Sequence, residues 1–103
     1  MASGALQIEL SPQGHHLDVV LTGEVDVSSC GELHACLAES SPDFDEVTLD
    51  LAGVTFMDST GIAEIIRTAQ HLEPDGRTVR LRNPHPHVRR LLEVTGLTQL
   101  IAD

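Results

Sequence analysis

Apolar and polar residues alternate along four stretches of the chain, which is typical of β-strands with one buried face. The first two stretches are 5–10 (ALQIEL) and 15–23 (HHLDVVLTG), and the residues SPQG between them have turn chemistry. Together they predict an antiparallel hairpin. The stretches 45–56 (DEVTLDLAGVTF) and 77–83 (RTVRLRN) predict two further strands.

Three segments between and after these strands have helical spacing of apolar residues. The first is 28–40 (SSCGELHACLAES), in which Ser29 and Glu32 are spaced as a capping box and Gly31 weakens the helix. The last is PHPHVRRLLEVTGL, which Gly96 closes.

The middle helix follows the segment MDSTG and is stopped by EPDG at 73–76. Its apolar side, at spacings of three and four, is Ile62, Ile65, Ile66 and Ala69. We expect Glu64, Arg67 and Thr68 to fall mostly on the opposite side. Gly53, in the preceding strand, indicates a turn or a close approach of backbone.

The predicted order of elements is β-β-α-β-α-β-α, with room for a short terminal strand at 99–102. Strands that alternate with helices imply right-handed parallel crossovers, so the fold class is α/β with a mixed sheet: a hairpin at one side and parallel pairing elsewhere. The length of 103 residues fits a single domain, 1–103, with one modest core.

Charge and composition narrow the function. The net charge is −10, and residues 1–66 contain no Lys or Arg, which argues against a nucleic acid or an anionic membrane as partner. No apolar run approaches the length that spans a bilayer. Cys30 and Cys36 lie in one predicted helix at a separation that does not bring side chains together, so we expect no disulfide. These features predict a cytoplasmic protein.

The junction FMDSTGIAEII at 56–66 carries the first candidate site. Asp58, Ser59, Thr60 and Gly61 stand where a strand feeds a helix, at the edge of an α/β sheet where ligands and partners are usually met. One reading is N-capping, since all three side chains accept hydrogen bonds from free helix amides. The other is a functional hydroxyl, because one cap leaves at least one hydroxyl over and a helix N-terminus suits a phosphoryl group. The residues alone leave both readings open.

The segment GEVD at 23–26 is the second candidate. It reads as a turn glycine with solvated acids or as part of a site. If the second and third strands are parallel neighbours, their ends meet and Asp26 lies near Ser59.

The segments LTGEVDV, VTLDLAGVTFMDSTGIAEII and VRLRNPHPHVRRLLEVTGL, in this order, resemble a STAS domain of the anti-sigma factor antagonist type. The resemblance covers about residues 6 to 100. Its most specific element is the run of apolar residue, Met, Asp, Ser, hydroxyl residue and Gly.

The resemblance implies a cytoplasmic bacterial protein that binds an anti-sigma factor, itself a serine kinase, and so frees the sigma factor. The kinase phosphorylates the serine after the motif's Asp, here Ser59, and a serine phosphatase restores it. Asp26 corresponds to an acid that supports partner binding and phosphorylation. By position, the residues implied in partner binding are Glu24, Asp26, Asp58, Ser59, Thr60 and Gly61. No cofactor, metal, nucleic acid or membrane is implied.

Three other readings compete. STAS domains also serve as unphosphorylated scaffolds or regulatory subunits, in stress-signalling or lipid-transport complexes. A hydrolase built on Ser59 and Asp26 lacks the Gly-x-Ser-x-Gly elbow. The pairs His15–His16 and His85–His87 suggest a metal, but no Cys or carboxylate completes a recognisable site.

Arg89 and Arg90 in the last predicted helix are interpreted as a solvated face, with partner contact as the alternative.

Overall fold

The computed structural model describes residues 6–40 and 43–102. Within them four strands and three helices follow in the predicted order β-β-α-β-α-β-α. The strands are β1 (Gln7–Gln13), β2 (His16–Val25), β3 (Glu46–Met57) and β4 (Thr78–Arg82), and the helices are α1 (Cys30–Ser40), α2 (Ser59–Leu72) and α3 (Pro86–Val94). Ala5, which was included in the first predicted strand, lies outside the described residues.

The strands form one sheet in the order β1-β2-β3-β4. β1 pairs antiparallel with β2, whereas β2 with β3 and β3 with β4 are parallel pairs. The predicted mixed sheet is therefore confirmed. The parallel pairs bring the carboxyl ends of their strands to a common edge of the sheet, and α1 and α2 both begin there.

The hairpin turn lies later than the sequence predicted. β1 continues through Gln13, which pairs with His16, and the turn consists of Gly14 and His15. Gly14 has φ 63°, a left-handed conformation that glycine adopts without steric cost. Pro12 is tolerated inside β1 because β1 is an edge strand. Proline has no amide hydrogen to donate, and an edge strand pairs with a neighbour on one side only.

One face of the sheet carries the core. Alternate residues of β2, β3 and β4 are buried, while their neighbours in sequence are mostly half-buried or exposed. These core residues are Leu17, Val19, Leu21, Val47, Leu49, Leu51, Val79 and Leu81. Leu33 and Leu37 of α1, Ile62 and Ile65 of α2, and Val88 and Leu92 of α3 cover them. The core is almost entirely aliphatic, as the scarcity of aromatic residues requires.

Gly53 marks a close approach of backbone, as predicted, and not a turn. β3 has one more residue than β2 between the pairs Val20–Asp50 and Thr22–Gly53, which is a β-bulge. A Cβ at Gly53 would lie 3.0 Å from the carbonyl oxygen of Leu21 and from the Thr22 hydroxyl. The absence of a side chain therefore lets the two strands stay paired through the bulge.

The prediction for the outer side of α2 was wrong at two residues. Glu64 is 2% exposed and Thr68 is 6% exposed. The cause is α1, which packs against α2 and buries a second side of it, next to the side that faces the sheet. Apolar periodicity reports only the sheet-facing side, because the contact with α1 is partly polar.

The remaining ends follow the predicted chemistry closely. α2 ends at Leu72 and a 3-10 turn at Glu73–Asp75 leads to Gly76, whose φ is 76°. After α3, a 3-10 turn at Thr98–Leu100 is followed by a single parallel bridge between Ile101 and Leu81, so the terminal strand is reduced to one bridge. Cys30 and Cys36 are both free thiols, as predicted.

None of the described helices has the length and apolar character needed to cross a membrane.

Gly61 and Gly31 form a matched pair for a test of the packing. A Cβ at Gly61 would lie 2.7 Å from Met57 Cγ and 2.8 Å from Val25 Cγ1, whereas a Cβ at Gly31 meets nothing within 4 Å. We expect Gly61→Ala to lower the free energy of unfolding by about 1–3 kcal/mol, since the core must shift. Gly31→Ala should raise it by up to about 1 kcal/mol, because alanine favours the helix. Urea denaturation followed by circular dichroism measures both, and equal effects would contradict the packing described.

Candidate functional site

The ends of β2 and β3 lie side by side. Val25 pairs with Met57, and the amide of Asp58 donates a hydrogen bond to the carbonyl oxygen of Val25 at 3.2 Å. A helix follows each strand: Asp26 begins the turn that leads from β2 to α1, and Asp58 connects β3 to α2, which begins at Ser59. The GEVD segment and the DSTG segment are thus neighbours at one edge of the sheet.

Asp58 caps α2. Its backbone is extended, and its Oδ1 accepts hydrogen bonds from the amide of Thr60 at 2.9 Å and from the Thr60 hydroxyl. The hydrogen bond from the Thr60 hydroxyl is the main cause that lowers the pKa of Asp58 below its usual value, and the amides of Thr60 and Gly61 lower it further. Asp58 is therefore held as a carboxylate at the positive end of the helix.

Thr60 belongs to the cap and not to the exposed surface. It is half-buried, its hydroxyl and amide both donate to Asp58, and its carbonyl oxygen accepts from Cys30 Sγ at 3.3 Å. The hydroxyl could give its proton to another group only if the Asp58 contact broke.

Ser59 is the first residue of α2 and is exposed. Within residues 6–40 and 43–102 its hydroxyl forms no hydrogen bond. Asp58 and Thr60 together form the cap of α2. The sequence left open whether these side chains cap the helix or provide a functional hydroxyl. In the structure two of the three side chains are used in the cap, and the Ser59 hydroxyl is left over.

Asp26 organises the turn between β2 and α1. Its Oδ1 accepts from the amides of Ser28 at 3.0 Å and Ser29 at 3.1 Å, and its carbonyl oxygen accepts from the amide of Cys30 at 2.8 Å. Ser29 is 5% exposed, and its hydroxyl lies 2.7 Å from the carbonyl oxygen of Glu24 and accepts from the Asp26 amide at 3.1 Å. The predicted capping box is therefore replaced by a turn that Asp26 and Ser29 hold together.

The surface around these groups is acidic and partly apolar. Glu24, Asp26 and Asp58 stand at the same edge, and residues 1–66 contain no Lys or Arg. Val27, in the turn after Asp26, is 77% exposed, and Phe56, which pairs with Glu24 in the sheet, is 44% exposed. Acids with exposed apolar side chains near them are complementary to the basic and apolar groups of a binding protein.

The histidines are used elsewhere. At the opposite end of β2, His16 lies between Asp18 at 2.7 Å and Glu46 at 2.9 Å, and the hydrogen bond with Asp18 is the main cause that raises the pKa of His16. The rings of His85 and His87 stack at 6.2 Å. In the part of the chain that the structure describes, no group of three or more His, Cys, Asp or Glu is placed to hold a metal ion.

Three residues with a part in this geometry escaped the sequence reasoning. Ser29 was read only as a cap, Cys30 only as a thiol without a disulfide partner, and Glu64 as an outward acid. The structure places Cys30 against Thr60 and Glu64 against His34, between α1 and α2. The signal that could have found Glu64 is weak: an acid beside Ile65 in a helix whose neighbour carries a histidine.

The fold and this edge define an α/β domain with a mixed four-stranded sheet and an exposed serine at the junction of a parallel strand and its helix. Residues 8–102 match the family model described as "Mlab, STAS domain". The chain belongs to the STAS domain family.

Among curated relatives, it is 30% identical over 97 residues to the anti-sigma-B factor antagonist of Staphylococcus aureus, covering 93% of this chain and 90% of that protein. It is 26% identical over 96 residues to the anti-sigma-B factor antagonist of Bacillus subtilis, covering 93% and 88%.

Solved structures agree on the fold. The anti-sigma factor antagonist SpoIIAA in its unphosphorylated form superposes with a TM-score of 0.85 at 22% identity, over 94% of this chain and 87% of that one. The Bacillus cell fate determinant SpoIIAA in its phosphorylated form superposes with a TM-score of 0.77 at 23% identity, over 96% and 90%. The family model and the curated relatives confirm the resemblance to STAS domains of the anti-sigma factor antagonist type that was first drawn from three sequence segments.

The cap at Asp58 gives stability a dependence on pH. Because its pKa is lowered in the folded state, its charged form stabilises the protein above the unfolded pKa, and that contribution is lost as the pH falls through the folded pKa. We expect Asp58→Asn to be less stable than the wild type by about 1 kcal/mol near neutral pH and equally stable in strong acid. Urea denaturation across the pH range measures this. Glu9→Gln, at an exposed carboxylate on β1, is the control, and a difference that persists in strong acid would contradict the assignment.

Proposed function

We propose that this protein is an anti-sigma factor antagonist that works by partner switching. Its unphosphorylated form binds an anti-sigma factor serine kinase and thereby releases the sigma factor, and phosphorylation of Ser59 stops the binding. A serine phosphatase acting on phospho-Ser59 restores the active form. The protein works in the cytoplasm and is not itself an enzyme.

The observation that carries the proposal is the free Ser59 hydroxyl. Ser59 is exposed and outside the cap, whereas Thr60 is engaged by Asp58. A kinase needs a hydroxyl that can enter its active site without unfolding the helix start, and Ser59 meets that requirement where Thr60 does not. The names of the curated relatives support the same role.

The charges around Ser59 explain how a phosphoryl group would act. It adds about −1.5 to −2 charge at neutral pH and three acceptor oxygens. Asp58 stands next to Ser59 in the chain and Asp26 directly follows the neighbouring strand, so a partner attracted by these acids would meet a denser negative charge and a strongly hydrated group. The amides at the start of α2 offset part of the charge within the free protein. The switch is local, and no change of fold is required.

The partner-binding surface consists of Glu24, Asp26, Asp58, Ser59, Thr60 and Gly61. These residues have different parts in it. Ser59 and the carboxylates offer contacts to the partner, whereas Thr60 fixes the Asp58 carboxylate and Gly61 lets the first turn of α2 pass close to Val25 and Met57. Val27 and Phe56 add exposed apolar area beside the acids.

Phosphorylation of paired variants tests the acceptor. With ATP and the candidate anti-sigma factor kinase of the source genome, we expect the wild type and Thr60→Val to gain one phosphoryl group and Ser59→Ala to gain none, as measured by intact mass. Undiminished modification of Ser59→Ala would place the acceptor elsewhere. If the wild type gains no mass with any such kinase, the scaffold or regulatory-subunit role is favoured instead.

Two exposed valines test the surface. Val27, in the turn after Asp26, is 77% exposed, and Val94, at the end of α3, is 66% exposed. We expect Val27→Ser to weaken binding of the kinase about tenfold, because a central apolar contact is lost, and Val94→Ser to leave the affinity unchanged. Isothermal titration calorimetry measures both. Similar effects of the two changes would show that the partner does not dock at the Asp26 turn.

A further inference from the structure

Glu64 is a buried acid that the proposed function does not use. Its side chain is only 3% exposed, and both of its oxygens are engaged. Oε2 lies 3.0 Å from His34 Nδ1 in α1, and Oε1 accepts a hydrogen bond from Arg67 Nη1 in α2 at 2.7 Å. A buried carboxylate is costly unless it is paired, so its place between the two helices requires these partners.

Among the described residues, polar side-chain contacts join α1 to α2 at two levels, and the contact between Glu64 and His34 is the second. The first joins Cys30 Sγ to the carbonyl oxygen of Thr60 at 3.3 Å. Cys30 and His34 are four residues apart in α1, and Thr60 and Glu64 are four residues apart in α2, so the two contacts are one helical turn apart on each helix. The helices therefore run parallel and side by side from their first turns.

A cleft lies beside this second contact. It has a volume of about 320 Å³ and lies between α1 and α2. Its lining consists of His34, Leu37, Ala38, Glu64, Arg67, Thr68 and His71. Glu64 and His34 both line this cleft, so their link joins the two helices where the cleft lies between them.

Both helices begin at the candidate site. The turn from Asp26 to Ser29 is held at one end by β2 and at the other end by α1, and Ser59 opens α2. The sheet fixes where the two strands end, and the contacts between the helices add a second constraint on how the start of α1 lies relative to the start of α2.

We propose that Glu64 is a positioning residue for the phosphorylation site: by binding His34 it holds the start of α1, and with it the Asp26 turn, in fixed register with Ser59. The inference rests on the proposed function, since it concerns the geometry that the kinase recognises. A positioning role can be separated from a purely stabilising role. A buried ion pair can often be replaced by apolar groups without loss of stability, so an apolar variant of Glu64 should lose the positioning and keep the stability.

Two substitutions of similar size separate these roles. Glu64→Gln keeps a side chain that can hydrogen-bond to Arg67 and to a neutral His34 ring, whereas Glu64→Met fills the same space without either bond. Hydrogen exchange of the backbone amides at the site tests the proposal without a kinase. In Glu64→Met we expect the amides of Ser28, Ser29 and Thr60, which donate to Asp26 and Asp58, to exchange about tenfold faster than in the wild type or Glu64→Gln.

Thermal unfolding and the amides of β3 are the controls for that experiment. We expect Glu64→Met to unfold at the same temperature as the wild type or higher, with unchanged exchange in β3. Unchanged exchange at Ser28, Ser29 and Thr60 would overturn the proposal. So would an acceleration that extends equally to β3, because that result means general destabilisation.

Phosphorylation gives the second readout. With the kinase that modifies the wild type, Glu64→Met and His34→Ala should each lower kcat/KM about tenfold, the double variant should lose little more, and Glu64→Gln should stay near the wild type. His71→Ala, at an exposed histidine of the same cleft, is the control. Full activity of Glu64→Met would contradict the proposal. If the wild type itself is not phosphorylated, the proposed function fails, and the exchange experiment still decides whether Glu64 positions the turn.

Discussion

The parallel pairing of β2 with β3 is the constraint on which the site depends. It carries Val25 and Met57 to the same level and joins them through the hydrogen bond from the Asp58 amide to Val25. Each strand then leads into its own helix: Asp58 caps the start of α2, and Asp26 with Ser29 holds the turn before α1. These two groups of polar residues follow neighbouring strand ends and make an acidic edge with one exposed serine, so the site is a consequence of how the sheet ends.

The local chemistry at this edge holds one acid charged and leaves one hydroxyl exposed. Asp58 is held charged by Thr60 and by the helix amides, and the Ser59 hydroxyl has no base bonded to it among the described residues. An exposed hydroxyl without an activating partner is a poor nucleophile but a good acceptor for an enzyme that brings its own machinery. In the proposed switch, the acids that attract a basic partner also oppose a phosphoryl group placed beside them, so one charge pattern would serve both states.

Much of the fold could be read from the sequence because its signals are local. The strand alternation, the stop at EPDG and the closing Gly96 depend on residues near each other in the chain, and all of them hold in the structure. The hairpin turn was placed too early because Pro12 reads as a breaker, although an edge strand accepts it. The burial of Glu64 could not be read from α2, since it depends on how α1 lies against it.

The sequence by itself predicted the candidate segments GEVD and MDSTG, because each follows a strand pattern and precedes a helix pattern, and its three longer segments carried the resemblance to the STAS family that the family model confirms. The tertiary structure decided which hydroxyl is free. That choice depends on a side-chain contact between Thr60 and Asp58 and on a neighbouring helix that holds the Thr60 carbonyl. Capping chemistry allows any of three adjacent groups to serve, and only their packed arrangement assigns two to the cap and leaves Ser59 exposed.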